Sequence, residues 1–576
     1  MINAAKWESY AGQHRGAIFA IVGGSSGIIQ AWHSRGALSP DLLNYLALAR
    51  TLLANGWTSS INGFWSPLYS WLLVLPMSFH LMSSRTELLW VHLVNLGVFF
   101  VAMLCFHVFM NHTLRLAAMR VGSNYAAWAR IEPWWYFAGC AIFLFATLEW
   151  LPNSLCTPDL LVASFLFLSA GFLAAILCRD RSWPNYIMLG LALALGYLAK
   201  APAFPLAILF FAMLLFLSRG EEWRWVKCLA CVSAFALIAG PFFYTLSKKE
   251  THPTFGESGR VNFLMYGDGL PAYWLGEGLP GEGNSQNFDR VCADPPVFAF
   301  HGVPPGVYFP AYEPSRWYAG LVPHLELRQE AQNLRTGFHS LGEIAEAESD
   351  LILGFVLILL FSGLVSGLRS VLSWWFLWLP AALGTVMFWM VHVEDRFIAP
   401  FVVIGFMGLY TGALISSSRK SRVIARILLG LLLVQGCRAG IVVVKGFLST
   451  PLDMTRSATT IVDDLAKAGV PQGAPVAILG NAQAPYWAWV GQYSIVSEAP
   501  SSGTPRFLAA GASERKRLYG CLAKTGAQAV LFHAESPEFL EPGWQKVGWE
   551  DLYVRSLDRD SPGTLPGADL NSNQKP

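Results

Sequence analysis

The sequence predicts a polytopic α-helical membrane protein of about eleven spans. It also predicts re-entrant or interfacial helices in the first outer loop and a small C-terminal α/β domain outside the cytoplasm. Three observations carry this. First, 54% of the 576 residues are hydrophobic and only 14% are charged, whereas soluble domains carry about 25% charge. Second, the apolar residues come in runs of roughly 17–25, the length that crosses a bilayer as helix. Backbone groups in lipid need internal partners, so such runs span as helices, and they lack the alternation of outer-membrane barrel strands. Third, the basic residues between the runs share one face.

Spans are expected near 16–32, 88–110, 134–151, 160–178, 184–199, 203–218, 226–246, 351–367, 372–391, 398–416 and 424–445. With the N-terminus in the cytoplasm, the inner connections hold Arg115, Arg120 and Arg130; Arg179 and Arg181; Arg219, Arg224 and Lys227; Arg369; and Arg419, Lys420, Arg422 and Arg426. All short basic loops then lie inside, as the positive-inside rule requires. Residues 67–82 are apolar but short and interrupted by Pro67 and Pro76. Counted as a span, they would turn every later basic loop outward, so they are read as re-entrant or interfacial. The first run has no small-residue cleavage site and reads as a retained span. Asn111-His112-Thr113 falls inside, so no outer-face glycosylation sequon exists. That suits a multi-pass protein of a bacterial inner (plasma) membrane.

The transmembrane part is expected over 1–446, including outer loops 33–87 and 247–350. The second loop is rich in Gly, Pro and aromatics and reads as an irregular, packed cover. A soluble α/β domain follows over 451–557, with helices near 454–469, 484–491 and 513–524. Its strands are expected at 475–480, around YSIVSE, at 527–533 and as a closing pair in QKVGWEDLYVRSL. Residues 558–576 are polar and expected to be disordered. The net charge of +2 gives no basis for a nucleic-acid partner. Of nine cysteines, Cys105, Cys140, Cys178, Cys228, Cys231 and Cys437 lie in apolar runs, where they behave as small hydrophobes, and no framework is expected. The Cys228/Cys231 pair lies within a helix, without a second pair or a nearby His, and does not read as a metal or redox site.

Ser39-Pro40-Asp41-Leu42-Leu43 and Thr157-Pro158-Asp159-Leu160-Leu161 match each other, each before a helix. Ser/Thr at N-cap, Pro at N1 and Asp in the first turn make an ordinary helix start. Both strings, however, sit at the outer bilayer edge, where an acid meets lipid headgroups. From Asp41 the chain reads as an amphipathic helix, with Asn44 and Tyr45 on the Asp41 face and Leu42, Leu46, Ala49 and Leu53 on the other. Phe64, Trp65 and Tyr69 form either an interfacial aromatic belt or a platform for a sugar or lipid. Lys200, ending the fifth span, either snorkels or offers a point charge to phosphate. His392-Val393-Glu394-Asp395-Arg396 is either a structural ion pair or an Arg grip on phosphate. Outside the cytoplasm an activated sugar must arrive on a lipid phosphate. Its transfer needs one base for the acceptor hydroxyl and cations for the departing phosphate, whereas glycosidases use two carboxyl groups.

In this ordered set the chain resembles the C-type membrane glycosyltransferase superfamily, the group containing protein O-mannosyltransferases and the aminoarabinose transferase acting on lipid A. The matching residues are Asp41 and Tyr45; Trp65-Ser66-Pro67-Leu68-Tyr69; Thr157-Pro158-Asp159; Leu198-Ala199-Lys200 with Pro202 and Pro205; and Glu394-Asp395-Arg396-Phe397 with Pro400. They fall within roughly residues 15–420. The resemblance implies inverting transfer from a polyprenyl-phosphate sugar to an outer-face acceptor glycan, lipid or protein. It makes Asp41 the base and Asp159 a substrate-positioning or assisting acid. Lys200 and Arg396 would bind the donor phosphate, Glu394 would orient Arg396, and Tyr45, Trp65, Tyr69 and His392 would line the substrate. No cofactor or metal is implied. Two departures stand out: Leu42 follows Asp41 where several relatives pair Asp with Glu, and Phe397 replaces the usual Tyr after Arg. The competing readings are a transporter or flippase of lipid-linked glycans and a non-catalytic envelope-assembly protein. Transporters keep ionisable groups near the midplane, whereas the expected spans here carry almost none.

Overall fold

The computed structural model describes residues 4–83, 85–178, 182–272, 288–318, 320–324, 326–416, 420–449, 453–482, 485–500, 504–534, 540–549 and 551–557. The chain divides into two compact units, one of residues 1–274 and 321–452, the other of 275–320 and 453–576. The expected disordered tail, 558–576, lies outside the described residues.

The first unit is built of helices: α1 (Ala4–Ser34), α2 (Leu42–Asn55), α3 (Leu68–Ser78), α4 (Glu87–Arg120), α5 (Tyr125–Glu149), α6 (Asp159–Leu177), α7 (Trp183–Ala199), α8 (Ala203–Leu217), α9 (Arg224–Glu250) and α10 (Ser258–Asn262). After α11 (Phe309–Tyr312), which belongs to the second unit, it continues with α12 (Leu327–Ala347), α13 (Ser349–Ser362), α14 (Leu364–Leu372), α15 (Trp375–Trp389), α16 (Asp395–Ile415) and α17 (Ser421–Leu448). Among the described residues six stretches, on α4, α5, α6, α9, α16 and α17, are long and apolar enough to cross a membrane. The apolar helices α3, α7, α8 and α15 are shorter. The run expected to span 351–367 is broken: α13 stops at Ser362, and α14 leaves at 116°. Gly363 makes the break possible with φ +87, a conformation that costs glycine little.

Helix pairs α4/α6, α5/α17, α7/α9 and α15/α16 pack along each other. Small residues permit the closest approaches, as is usual between membrane helices. A Cβ on Gly171 of α6 would lie 2.9 Å from the Phe109 backbone of α4, and one on Gly190 of α7 would lie 2.1 Å from the Cys231 carbonyl of α9. Between α4 and α5 the rings of Phe106 and Phe143 stack at 4.5 Å, and Trp135 stacks on Tyr410 of α16 at 5.0 Å. The first half of α2 is enclosed on every side, residues 42–49 all being buried. The amphipathic pattern read from the sequence therefore ends as a buried helix rather than one lying open at an interface.

The second unit is a seven-stranded sheet flanked by helices. Its strands are β1 (Phe288–Ala293), β2 (Pro296–Phe300), β3 (Pro475–Leu479), β4 (Ser494–Ala499), β5 (Ala529–His533), β6 (Gln545–Val547) and β7 (Leu552–Ser556), in the order β1-β2-β4-β3-β5-β7-β6. The central pairs β3/β4 and β3/β5 are parallel, and the outer pairs are antiparallel. The helices are α18 (Met454–Lys467), α19 (Tyr486–Gly491), α20 (Thr504–Ala509) and α21 (Ala512–Lys524). Asp453 caps α18 by accepting from the Arg456 amide at 3.0 Å. Val297, Leu479, Phe507, Leu522, Val530 and Phe532 share its core.

Two sequence expectations are corrected in this unit. Residues 288–300, expected as part of an irregular cover, form a hairpin whose β2 pairs with β4, Phe298 opposite Glu498. The cysteines, expected to form no framework, include a Cys292–Cys521 disulfide joining β1 to α21. These two cysteines lie outside the apolar runs, 229 residues apart.

Candidate active site

Two helix starts open the site. α2 begins after Asp41 and α6 at Asp159, and no side chain caps either start. The ordinary capping geometry expected of Ser39 and Thr157 is therefore not adopted. Ser39 Oγ is buried without a hydrogen bond among the described residues, and Thr157 Oγ1 donates to Asp159 Oδ2 at 2.6 Å. Apart from this local bond, both carboxylates are left to tertiary partners. Lys200 Nζ donates to Asp159 Oδ1 at 2.6 Å. Lys200 reaches it because Pro202 cannot continue α7, so the chain turns there with Lys200 extended before α8 begins.

One guanidinium joins the two acids: Arg396 NH1 lies 3.6 Å from Asp41 Oδ2 and 3.9 Å from Asp159 Oδ2. Arg396 is held in turn, its Nε donating to Glu394 Oε2, while Glu394 Oε1 meets His392 Nε2 at 3.1 Å. Glu394 precedes α16. Burial alone would raise its pKa, but the His392 hydrogen bond and the Arg396 charge bring it down to about 2, so it stays an anion at any physiological pH. The Phe397 ring serves both cations, with Lys200 Nζ at 4.1 Å and the Arg396 guanidinium at 4.9 Å from its centre, a favourable placement for positive charge.

The two aspartates differ in environment. Asp159 is 4% exposed and accepts bonds on both oxygens. Asp41 keeps 33% of its side chain open, with Arg396 as its charged neighbour. It is still seated deeply enough that desolvation raises its pKa. Arg396 and Lys200 partly offset that, and Asp159 and Glu394 reinforce it. A carboxylate with free lone pairs and raised basicity is suited to take a proton.

Tyr45 lies beside the acids. Burial first, then the Asp41 and Asp159 charges, hold its pKa well above the ordinary value, so its hydroxyl stays protonated. Its ring meets Trp65 and Tyr69 edge-on, at 5.2 and 5.1 Å. Tyr69, expected to line the substrate, is fully buried, and its hydroxyl donates to Asn95 at 2.7 Å. The Phe64–Trp65 turn is set by Asn62 Oδ1, which accepts from both amides at 2.8 and 3.0 Å, a standard Asx arrangement. The end of α9 and the start of α10 clamp this turn: Lys249 Nζ donates to the Ile61 carbonyl and the Glu257 amide to that of Gly63, at 2.6 and 2.7 Å.

Asp159, Lys200 and Arg396 line a groove whose other walls include Val162, Pro202, Leu206, Phe388 and Phe401. Charged groups set among apolar walls match a phosphate carried on a hydrocarbon chain. Among the described residues no three His, Cys, Asp or Glu side chains group to hold a metal ion.

Sequence reasoning did not single out Tyr266, whose ring stacks on His392 with centroids 4.0 Å apart and planes 1° from parallel. It lies within residues 247–350, expected from the sequence to be an outer loop, in a stretch without a motif. Thr157 was read as a helix cap and proves to be a ligand of Asp159.

No protein-family model and no curated protein matches the chain. Two solved structures are similar in layout. The structure of ArnT from Cupriavidus metallidurans in the apo state shares 14% identity over 96% of this chain and 100% of that one, with a TM-score of 0.39. The same protein bound to undecaprenyl phosphate shares 13% identity over 95% and 99%, with a TM-score of 0.42.

Proposed function

We propose that this chain is a membrane glycosyltransferase that moves a sugar from a polyprenyl-phosphate donor to a hydroxyl-bearing acceptor on the outer face of a bacterial inner membrane. The observation that carries the reading is the clustering of Asp41, Asp159, Lys200 and Arg396, the last three lining one largely apolar groove. In this reaction Asp41 takes the proton from the acceptor hydroxyl, and the oxygen attacks the anomeric carbon from the face opposite the phosphate. The bond from that carbon to the phosphate oxygen breaks, and its electron pair leaves with the polyprenyl phosphate, giving inversion. Lys200 and Arg396 stabilise the departing charge, where fixed cations in a low-dielectric site act most strongly. Asp159 holds Lys200 in place, and Glu394 orients Arg396.

The topology that goes with this reading has eleven crossings and a cytoplasmic N-terminus, so the helix starts at Asp41 and Asp159 face outward. The Cys292–Cys521 disulfide supports an extracytoplasmic second unit, since such bonds persist in oxidising compartments.

The test is release of polyprenyl phosphate from a panel of labelled polyprenyl-phosphate sugars, using proteoliposomes supplied with envelope extract as acceptor. Release from one donor, dependent on the extract, is expected. A folded protein that releases nothing from any donor, with an extract proven to contain acceptors, would overturn the reading.

A further inference from the structure

The contacts around His392 extend the site into the second outer loop. Residues Phe263–Gly267 form a π-helical turn, a rare element that often marks functional positions. The Asp268 amide closes it on the Phe263 carbonyl at 3.0 Å, and Val261 and Leu264, both buried, anchor it. The turn is also tied down from the far side. Asp268 Oδ2 accepts from the His324 amide at 3.1 Å, and Gly269 packs against Gln329 of α12. That helix is pinned to the end of α15, where Trp389 Nε1 donates to the Leu334 carbonyl at 2.9 Å. The turn thus presents Tyr266 from a fixed base.

Tyr266 covers one face of the His392 ring, parallel and in van der Waals contact. His392 Nε2 meets Glu394 Oε1, the other oxygen of Glu394 takes the Arg396 Nε, and Arg396 reaches Asp41 and Asp159. These contacts form an unbroken line from the loop to the acids. His392 is one-third exposed and follows α15 in a short connection, so its ring has little else to fix its plane. The direction of its bond to Glu394 then depends on what it stacks against.

Resting on the reading above, we propose that Tyr266 is a positioning residue of the donor-phosphate clamp. By stacking on His392 it holds the His392–Glu394–Arg396 chain in register and makes the second outer loop part of the donor site. Loop and clamp act as one device: a donor phosphate that pulls on Arg396 is resisted through Glu394 and His392 by the loop. A stacked aromatic pair contributes modestly, so its loss should weaken phosphate binding about 3- to 10-fold and leave the proton-transfer step largely intact.

The experiment measures binding of polyprenyl phosphate alone to the full-length protein in nanodiscs, beside donor KM and kcat, for wild type, Y266A, Y266F and E394Q. Y266A should raise Kd and donor KM together about 3- to 10-fold, with kcat at saturating donor within about twofold. Y266F, which keeps the ring, should regain most of the lost affinity. In the E394Q background Y266A should add less than it costs alone, because both act through one chain. An unchanged Kd in Y266A, or equal losses in Y266F and Y266A, would overturn the proposal. So would full additivity with E394Q. Binding is read without turnover, so these outcomes stand even if no sugar is transferred, a result that would instead remove the transferase reading.

Discussion

Asp41 and Asp159 leave the same local sequence and arrive at different chemistry. Each follows Ser/Thr-Pro and precedes Leu-Leu at the start of a helix, yet Asp159 is enclosed and saturated by Lys200 and Thr157, while Asp41 is one-third open beside Arg396. The difference lies in tertiary partners. Lys200 is delivered by a proline-enforced chain reversal 41 residues after Asp159, whereas the cation that meets Asp41 is Arg396, at the longer distance of 3.6 Å. A carboxylate whose lone pairs are occupied holds its neighbours in place, and one with lone pairs to spare can accept a proton. In the proposed reaction the two matching strings divide the work of one site.

The comparison breaks most sharply in activity. Asp41→Asn should lower the transfer rate at least about 100-fold, the usual worth of a general base, while the protein folds and binds polyprenyl phosphate. Next in size is the reverse case. Lys200→Met removes the closest cation from the buried Asp159, leaving it Arg396 at 3.9 Å and the Thr157 hydroxyl, and should cost about 3 kcal/mol of stability, seen as a large fall in melting temperature. The double variant Asp159→Asn/Lys200→Met should recover most of that stability and none of the donor binding.

Smaller and more diagnostic is the acid limb of the pH–rate profile. As the proposed base Asp41 would work deprotonated, and its burial-raised pKa should place the loss of rate above the ordinary aspartate range as pH falls. Arg396 lowers that pKa and Asp159 raises it. Arg396→Gln should therefore move the limb to higher pH and Asp159→Asn to lower pH, whatever either does to the maximum rate. Movement of both limbs in one direction would contradict the assignment of Asp41. The smallest effect separates the hydroxyls before the two acids. Thr157→Val removes a hydrogen bond to a charged group and should cost about 2 kcal/mol. Ser39→Ala removes a hydroxyl that bonds none of the described residues and should leave stability within about 0.5 kcal/mol.

Much of the first unit could be read from the chain, because apolar runs and the prolines that interrupt them act locally. The positions of Lys200, Asp159 and Arg396 at helix ends were readable for the same reason. The break at Gly363 was harder, since the apolar pattern runs through it and only a positive φ ends the helix. Tyr69 shows the opposite limit: its place in an aromatic cluster was evident, but its hydroxyl partner, Asn95, lies on another helix. Tyr266 and the 288–300 hairpin were not readable at all. The hairpin joins a strand about 200 residues later, Phe298 pairing with Glu498, and no local pattern encodes a pairing at that distance.

The most direct measurement is single-turnover release of polyprenyl phosphate by wild type, Asp41→Asn and Asp159→Asn, each loaded with the donor that the wild type uses. If Asp41 is the base, Asp41→Asn retains donor and releases it at least about 100-fold more slowly, while Asp159→Asn chiefly loses donor affinity. Release by Asp41→Asn at the wild-type rate, with Asp159→Asn inert though loaded, would contradict this division and make Asp159 the base.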